Sequence, residues 1–382
     1  MYRFFIFLIF IAVPVFAQEV TDRNLHYSDT ERVISPLIGK SGHVAFMGGS
    51  ITEMDGYRPM VCEFLRKKYP KTEFTFTAAG ISSTCSMTGA FRLQRDVLSK
   101  GPVDLFFVEF AVNDDQDAGH DERTAIRGME GIVRHVKRRY PTAQIVMTFF
   151  ANEHLMNEYR KGREATSIRA HRKVAEHYGI PAVNVAREVQ QQIDEGTLTW
   201  EKFGGVHPSP YGNRLAAGMI EKLIDRLAGR PVPMMPEPLD PFNYENGRFV
   251  SPDTAKFDEN WTWAVPNWKS ITGSLRQTFA GQKLLCAEKP GAELTFQFEG
   301  KAVGAFVLAG PDAGALEYRI DDGQPKHIVL YHAYSGGLHY PRTVVFEDEL
   351  PDGKHTLRLR LTDTVPPKSR GTAARILQFA VN

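Results

Sequence analysis

Several residues of this 382-residue chain could together carry out attack on an acyl group. Ser50 follows Gly48-Gly49 in HVAFMGGSITEM, where a short strand-like stretch meets a turn that a Cβ would obstruct. A serine on such a turn, with helical N–H groups nearby, is a candidate nucleophile. The plainer alternative is a glycine-rich strand–helix turn with a capping serine. His207, in GGVHPSPYG, could take the serine's proton, because neutral imidazole is a base suited to pH 7. The negative charge that develops needs donors placed in advance. Gly80, in TAAGIS, and Asn113, in EFAVNDD, stand at the ends of two further strand-like runs. Taken singly, Gly80 reads as a loop glycine, Asn113 as a turn former and His207 as a structural loop histidine.

The elements around these residues alternate regularly. Strands are expected over residues 43–47, 73–78, 104–110, 144–149 and 181–185. Between and after them lie helices over 60–69, 89–98, 123–140, 164–178 and 187–195. A last helix is capped by Ser209, has Pro210 at its first position, and runs to about residue 227. The run 104–110 is nearly all apolar, as in a strand covered on both faces of a parallel sheet. Strands alternating with helices predict a three-layer α/β/α domain. Ser50, Gly80 and Asn113 then fall at carboxyl ends of strands, where open α/β sheets place ligands.

With that order established (Ser, Gly, Asn, His), the sequence resembles the SGNH, or GDSL-like, hydrolases over residues 41–229. The resemblance implies a flavodoxin-like fold with Ser50 as nucleophile and His207 as its base. It also implies an oxyanion hole from the N–H groups of Ser50 and Gly80 and the side chain of Asn113. Three positions depart from the family pattern. Gly49 stands where many members have aspartate, Ala111 replaces a glycine, and Gly204 occupies the place of the aspartate that orients the histidine. Another acceptor is therefore expected within about 2.6–3.2 Å of His207 Nδ1: Glu201, a backbone carbonyl, or an acid from another loop. Gly204→Asp is expected to be tolerated, and to raise activity if that acceptor is only a carbonyl.

Residues 1–17 combine Arg3, an apolar run over 4–16 and small residues at Val15 and Ala17, which reads as a cleaved export signal. A secreted or periplasmic protein with no membrane insertion is expected. The net charge of +1, with both signs interspersed, gives no footprint for nucleic acid. Cys62, Cys85 and Cys286 show no metal-ligand spacing, no cofactor or metal is implied, and free buried thiols are the default over a Cys62–Cys85 bridge. The hydrolase domain is assigned to residues 18–230 and a proline-rich, semi-rigid linker to 231–241.

Over residues 242–382 the periodicity changes to two, with strands expected at 294–298, 302–308, 315–320, 326–330, 343–346 and 355–361. This predicts an antiparallel β-sandwich. Trp261, Trp263 and Trp268 could fill its core or face a sugar. The stretch YHAYSGGLHYPR, carrying Tyr334 and His339, is expected as a substrate-side rim. Asp114 joins Tyr334 and His339 as a candidate substrate-binding residue.

The reading is an exported serine esterase that removes O-acyl groups, by first expectation acetyl, from a polysaccharide or oligosaccharide. A lipase-like or aryl esterase is the alternative within the ester class. From other classes come a catalytically weak carbohydrate-binding protein and a glycan-cleaving enzyme using Glu53, Asp55, Glu109, Asp114 or Asp115 as acid and base.

Overall fold

The structure, a computed structural model, describes residues 22–26, 39–227 and 234–382, so the expected export signal and the first residues of the expected linker lie outside the described residues. In the N-terminal part, strands β1 (Leu25–His26), β2 (Ser41–Gly48), β3 (Glu73–Gly80), β4 (Leu105–Glu109), β5 (Gln144–Phe149) and β6 (Ala182–Asn184) form one sheet in the order β1-β6-β5-β4-β2-β3. Apart from the antiparallel edge pair β1–β6, every pairing is parallel. The five parallel strands thus follow the flavodoxin-like order, with the topological switch between β2 and β4. All of β4 is buried, as its apolar run requires of a central strand with helices on both faces.

The helices are α1 (Ser50–Glu53), α2 (Tyr57–Lys68), α3 (Ser86–Asp96), α4 (Glu122–Arg139), α5 (Glu153–Arg160), α6 (Thr166–His177), α7 (Val185–Asp194), α8 (Trp200–Phe203) and α9 (Pro210–Leu227). Sequence periodicity misses α5. Its start is nonetheless written in Asn152, whose side chain accepts from Leu155 N–H at 2.8 Å as an N-cap.

The C-terminal part is the expected antiparallel sandwich. One sheet holds β9 (Thr262–Ala264), β10 (Leu284–Ala287), β17 (Ala374–Val381), β12 (Val303–Ala309) and β15 (Tyr340–Glu347), with β7 (Arg248–Val250) paired to β17. The other holds β8 (Lys256–Phe257), β11 (Glu293–Glu299), β16 (Lys354–Leu361), β13 (Ala315–Ile320) and β14 (Lys326–Val329). The Phe296 and Phe379 rings stack across the sandwich at 4.1 Å. Trp261 and Trp263 join this core, and Trp268 packs on the smaller cluster of Phe279, Leu284, Phe306, Leu308 and Leu377. The tryptophans are therefore mainly packing residues. Strand β17 is not foreseen from the sequence because it lacks alternation. One face joins the sandwich core through Phe379, and Ala380 on the other joins the core of the hydrolase part.

The seam between the parts is tied by Arg127 of α4. Its guanidinium, 3 % exposed, donates to Asp240, Asp348 and Glu349 at 2.9, 2.7 and 2.7 Å. Tyr244 packs its ring at 5.0 Å from Phe91 and donates to Asp348. The described end of the linker is anchored rather than free: Leu239 and Asp240 donate backbone N–H groups to Glu130, and Arg134 donates to the Pro236 carbonyl. Its proline content had suggested a spacer, but the buried side chains of α4 capture it. Arg127→Met is expected to destabilise the protein by about 1.5–3 kcal/mol, the range for losing hydrogen bonds to charged groups. Urea unfolding followed by tryptophan fluorescence measures this.

Candidate active site

Ser50 opens the one-turn helix α1 directly beyond β2, and Asn113 opens a π-turn (Asn113–Asp117) just after β4, so the two face each other at the switch point. Close packing dictates the two glycines before Ser50. A Cβ on Gly48 would lie 2.2 Å from Glu109 Oε1, and one on Gly49 would lie 2.1 Å from Asn113 Oδ1. A side chain at position 49 would therefore displace Asn113. Gly80 ends β3 on the other side of the turn, where a Cβ would meet the Glu53 backbone nitrogen at 2.2 Å. His207 comes from the loop between α8 and α9, and its Nε2 lies 2.8 Å from Ser50 Oγ. The fold thus brings Ser50, Gly80, Asn113 and His207 around one turn, with the nucleophile and base in hydrogen-bond contact.

The expected acceptor for His207 Nδ1 is not found: no hydrogen bond from Nδ1 is made to any described residue, and His207 and Glu201 are both exposed. Gly204 explains why the usual aspartate is missing. It is the left-handed C-cap of α8, with φ +106°, and a Cβ there would lie 2.0 Å from the Ser209 nitrogen. The expectation that Gly204→Asp would be tolerated is therefore corrected. The substitution should cost about 1–2 kcal/mol for the left-handed backbone and a further ~1–3 kcal/mol for the clash. Gly205→Ala is the control: φ is +78° but nothing lies within 4 Å of its Cβ, so only the backbone cost applies. Comparing the two urea midpoints separates the costs.

Two of the candidate substrate residues are buried. Asp114 is fully buried and accepts from Ser86 N–H at 2.8 Å, Ser86 Oγ at 2.6 Å and His171 Nε2 at 2.9 Å, so its carboxylate is committed to the interior. His339 is also fully buried, edge-on to Trp268 at 4.9 Å, where burial pushes its imidazole down to about 4. His339 lies just before β15, where its backbone N–H donates to the Ser274 carbonyl at 2.9 Å, while the loop preceding it reaches out. Tyr334 on that loop is 46 % exposed, and the loop docks on the hydrolase part through His332 Nε2, 2.9 Å from the Asp117 carbonyl.

Sequence reasoning missed Asp117, which accepts from Asn113 Nδ2 at 2.6 Å. Burial pushes its carboxyl up, opposed by the Asn113 and Gln116 hydrogen bonds and by Arg276 and His207 nearby. From the sandwich, Arg276 donates to Ser83 Oγ and Tyr340 to the Ser83 carbonyl. Ser83 itself has φ +68°, an uncommon backbone for serine. These residues are far apart in sequence and carry no local motif.

The carboxylates of the glycan-cleaving alternative are occupied. Glu53 accepts from Ser82, Asp55 pairs with Arg58, and Asp115 is held by Asn152 and His154. Glu109 lies beneath the nucleophile turn, accepting from Gly49 N–H at 3.0 Å and Thr52 Oγ1 at 2.7 Å. Burial pushes its carboxyl up from 4.5 to about 8, only partly offset by those hydrogen bonds. The unfolded chain releases this proton near pH 4.5 while the folded chain keeps it to about 8, so Glu109 makes stability fall as pH rises through that window. Glu109→Gln is expected to remove that fall, read as the difference in unfolding midpoint between the two proteins from pH 4.5 to 8.

Residues 46–215 match the family model described as the GDSL-like Lipase/Acylhydrolase family. Among solved structures, a two-domain esterase (CEX) active on acetylated mannans superimposes with a TM-score of 0.70 at 21% identity, covering 90% of this chain and 91% of that one. The same esterase co-crystallized with mannopentaose gives 0.70 at 22%, covering 89% and 90%. At that identity the likeness establishes a shared fold across both parts. A search of curated proteins finds no match. The match over residues 46–215 supports a serine ester hydrolase, and the Ser50–His207 contact lies within the matched region.

Proposed function

We propose that this chain is an exported esterase that removes O-acetyl groups from a glycan. The observation that carries the reading is the 2.8 Å contact between Ser50 Oγ and His207 Nε2 at the switch point of the sheet. Ser50 Oγ attacks the acyl carbon as His207 Nε2 takes its proton. The tetrahedral oxyanion is met by the Asn113 amide and by the N–H groups of Ser50 and Gly80. Its collapse expels the sugar alkoxide, which takes the proton from His207, and water then hydrolyses the acetyl-enzyme with His207 again as base. The glycan assignment is supported by the exposed Tyr334 beside Asp117, an apolar ring able to stack on a sugar face. It is also supported by the shared two-part fold of the acetylmannan esterase. Export is supported by residues 1–17 and predicts a mature protein beginning at Gln18, which N-terminal sequencing of secreted material checks.

Acetate release from acetylated mannan, acetylated xylan and other acylated glycans, with Ser50→Ala as the blank, tests the activity. The reading fails if no glycan yields acetate above that blank. The unheld Nδ1 of His207 favours one second reading, a slow Ser–His dyad whose main role is binding. Tight glycan binding with turnover near the blank would select it.

A further inference from the structure

Cys85, Asp114 and His120 are scattered in the sequence, yet their Sγ, carboxylate oxygen and imidazole nitrogen all lie within 4.8 Å of one another. Cys85 is the residue before α3, Asp114 sits in the π-turn after β4, and His120 immediately precedes the α4 cap at Asp121. The group is interior: Cys85 is 7 % exposed, Asp114 0 %, and the His120 side chain 9 %. His120 Nδ1 lies 3.5 Å from Asp114 Oδ1 and has no hydrogen-bond partner among the described residues. The buried imidazole nitrogen is at ion-pair distance from the carboxylate but makes no well-formed hydrogen bond to it or to the thiol. The separation is too long for a good N–H···O bond. It suits two ligands of a tetrahedral ion: bonds of about 2.0–2.2 Å place neighbouring ligand atoms about 3.3–3.6 Å apart.

We propose that Cys85, Asp114 and His120 hold a zinc-class divalent ion. A thiolate and a carboxylate cancel the ion's two positive charges, and a neutral imidazole adds none, so the complex can be buried without a stranded charge. The thiolate selects zinc over magnesium or calcium, which prefer oxygen donors. Outer partners are in place: Ser86 N–H and Oγ and His171 Nε2 all donate to Asp114 and fix its carboxylate. Three protein ligands leave the fourth position of a tetrahedral ion to water. The ion ties the start of α3 and the approach to α4 to Asp114, the neighbour of Asn113.

The test uses tag-free full-length chain, stripped with EDTA and titrated with zinc chloride against a chromogenic chelator, and separately loaded with cobalt(II). One equivalent of zinc per chain is expected, with a thiolate-to-cobalt charge-transfer band. Cys85→Ser should abolish the band and weaken zinc binding at least about 100-fold, as should His120→Ala for binding. A Cys62→Ser/Cys286→Ser double variant should keep both, which identifies Cys85 by elimination even if Cys85→Ser fails to fold. No equivalent of zinc in the wild type, or a band lost in the double variant, overturns the proposal. Binding unchanged in a folded Cys85→Ser variant also overturns it. In the first case the cluster is a metal-free interior pair of imidazole and acid.

Discussion

Ser50→Ala should lower kcat for deacetylation at least about 10²-fold, with His207→Ala and the double variant no worse than either alone. The size follows from what the site lacks. In a complete serine triad, losing the nucleophile or base costs about 2 × 10⁶ in kcat and losing the aspartate alone about 3 × 10⁴. With no acceptor on Nδ1 of His207 among the described residues, the site already forgoes the aspartate's share. The ratio of those figures, on the order of 10², is what remains for Ser50 to lose. Non-additivity is expected because Ser50 and His207 act as one unit through their contact. A loss near 10⁶ would mean that the bound state orients His207, with Asp117, whose carboxyl feels the His207 ring, as the acid to test. Turnover unchanged in both single variants would sink the nucleophilic mechanism.

Asn113→Ala should lower kcat by about 10²–10³ with KM little changed, because an oxyanion donor works mainly in the transition state. The side chain is well placed for this role: it is 3 % exposed and pressed against Gly49. Its amide now donates to Asp117, so the hydrogen bond must be shared or exchanged as the oxyanion forms. Steady-state kinetics on one acetylated oligosaccharide, with circular dichroism to confirm folding, measures the effect. A raised KM at constant kcat would make Asn113 a substrate contact instead.

Motif order and periodicity reached the α/β/α domain, the sandwich, and the meeting of Ser50 with His207, because those depend on local elements joined by short loops. The sequence could not show that Gly204 is closed to aspartate. That depends on the Ser209 backbone turning back against it. Asp117 was hidden because its significance comes from the π-turn that folds it onto Asn113. Asp114 and His339 looked available because polar residues near a motif read as exposed. Here a buried network claims the first, and packing against Trp268 with a backbone bond to Ser274 holds the second inside. The cysteines showed no metal spacing because the second and third members of the cluster come from other connections.

Arg127 bears on how such a protein can be recombined. The hydrolase part supplies a buried cation, and Asp348 and Glu349 of the sandwich supply two of its three acids. A sandwich transplanted from another esterase would have to present two acids at the same spot, or leave a guanidinium under apolar cover with too little counter-charge. Cutting the chain after residue 240 would strand the same cation and uncover Phe91. The two parts are therefore a matched pair, and any chimera has to satisfy this one arginine.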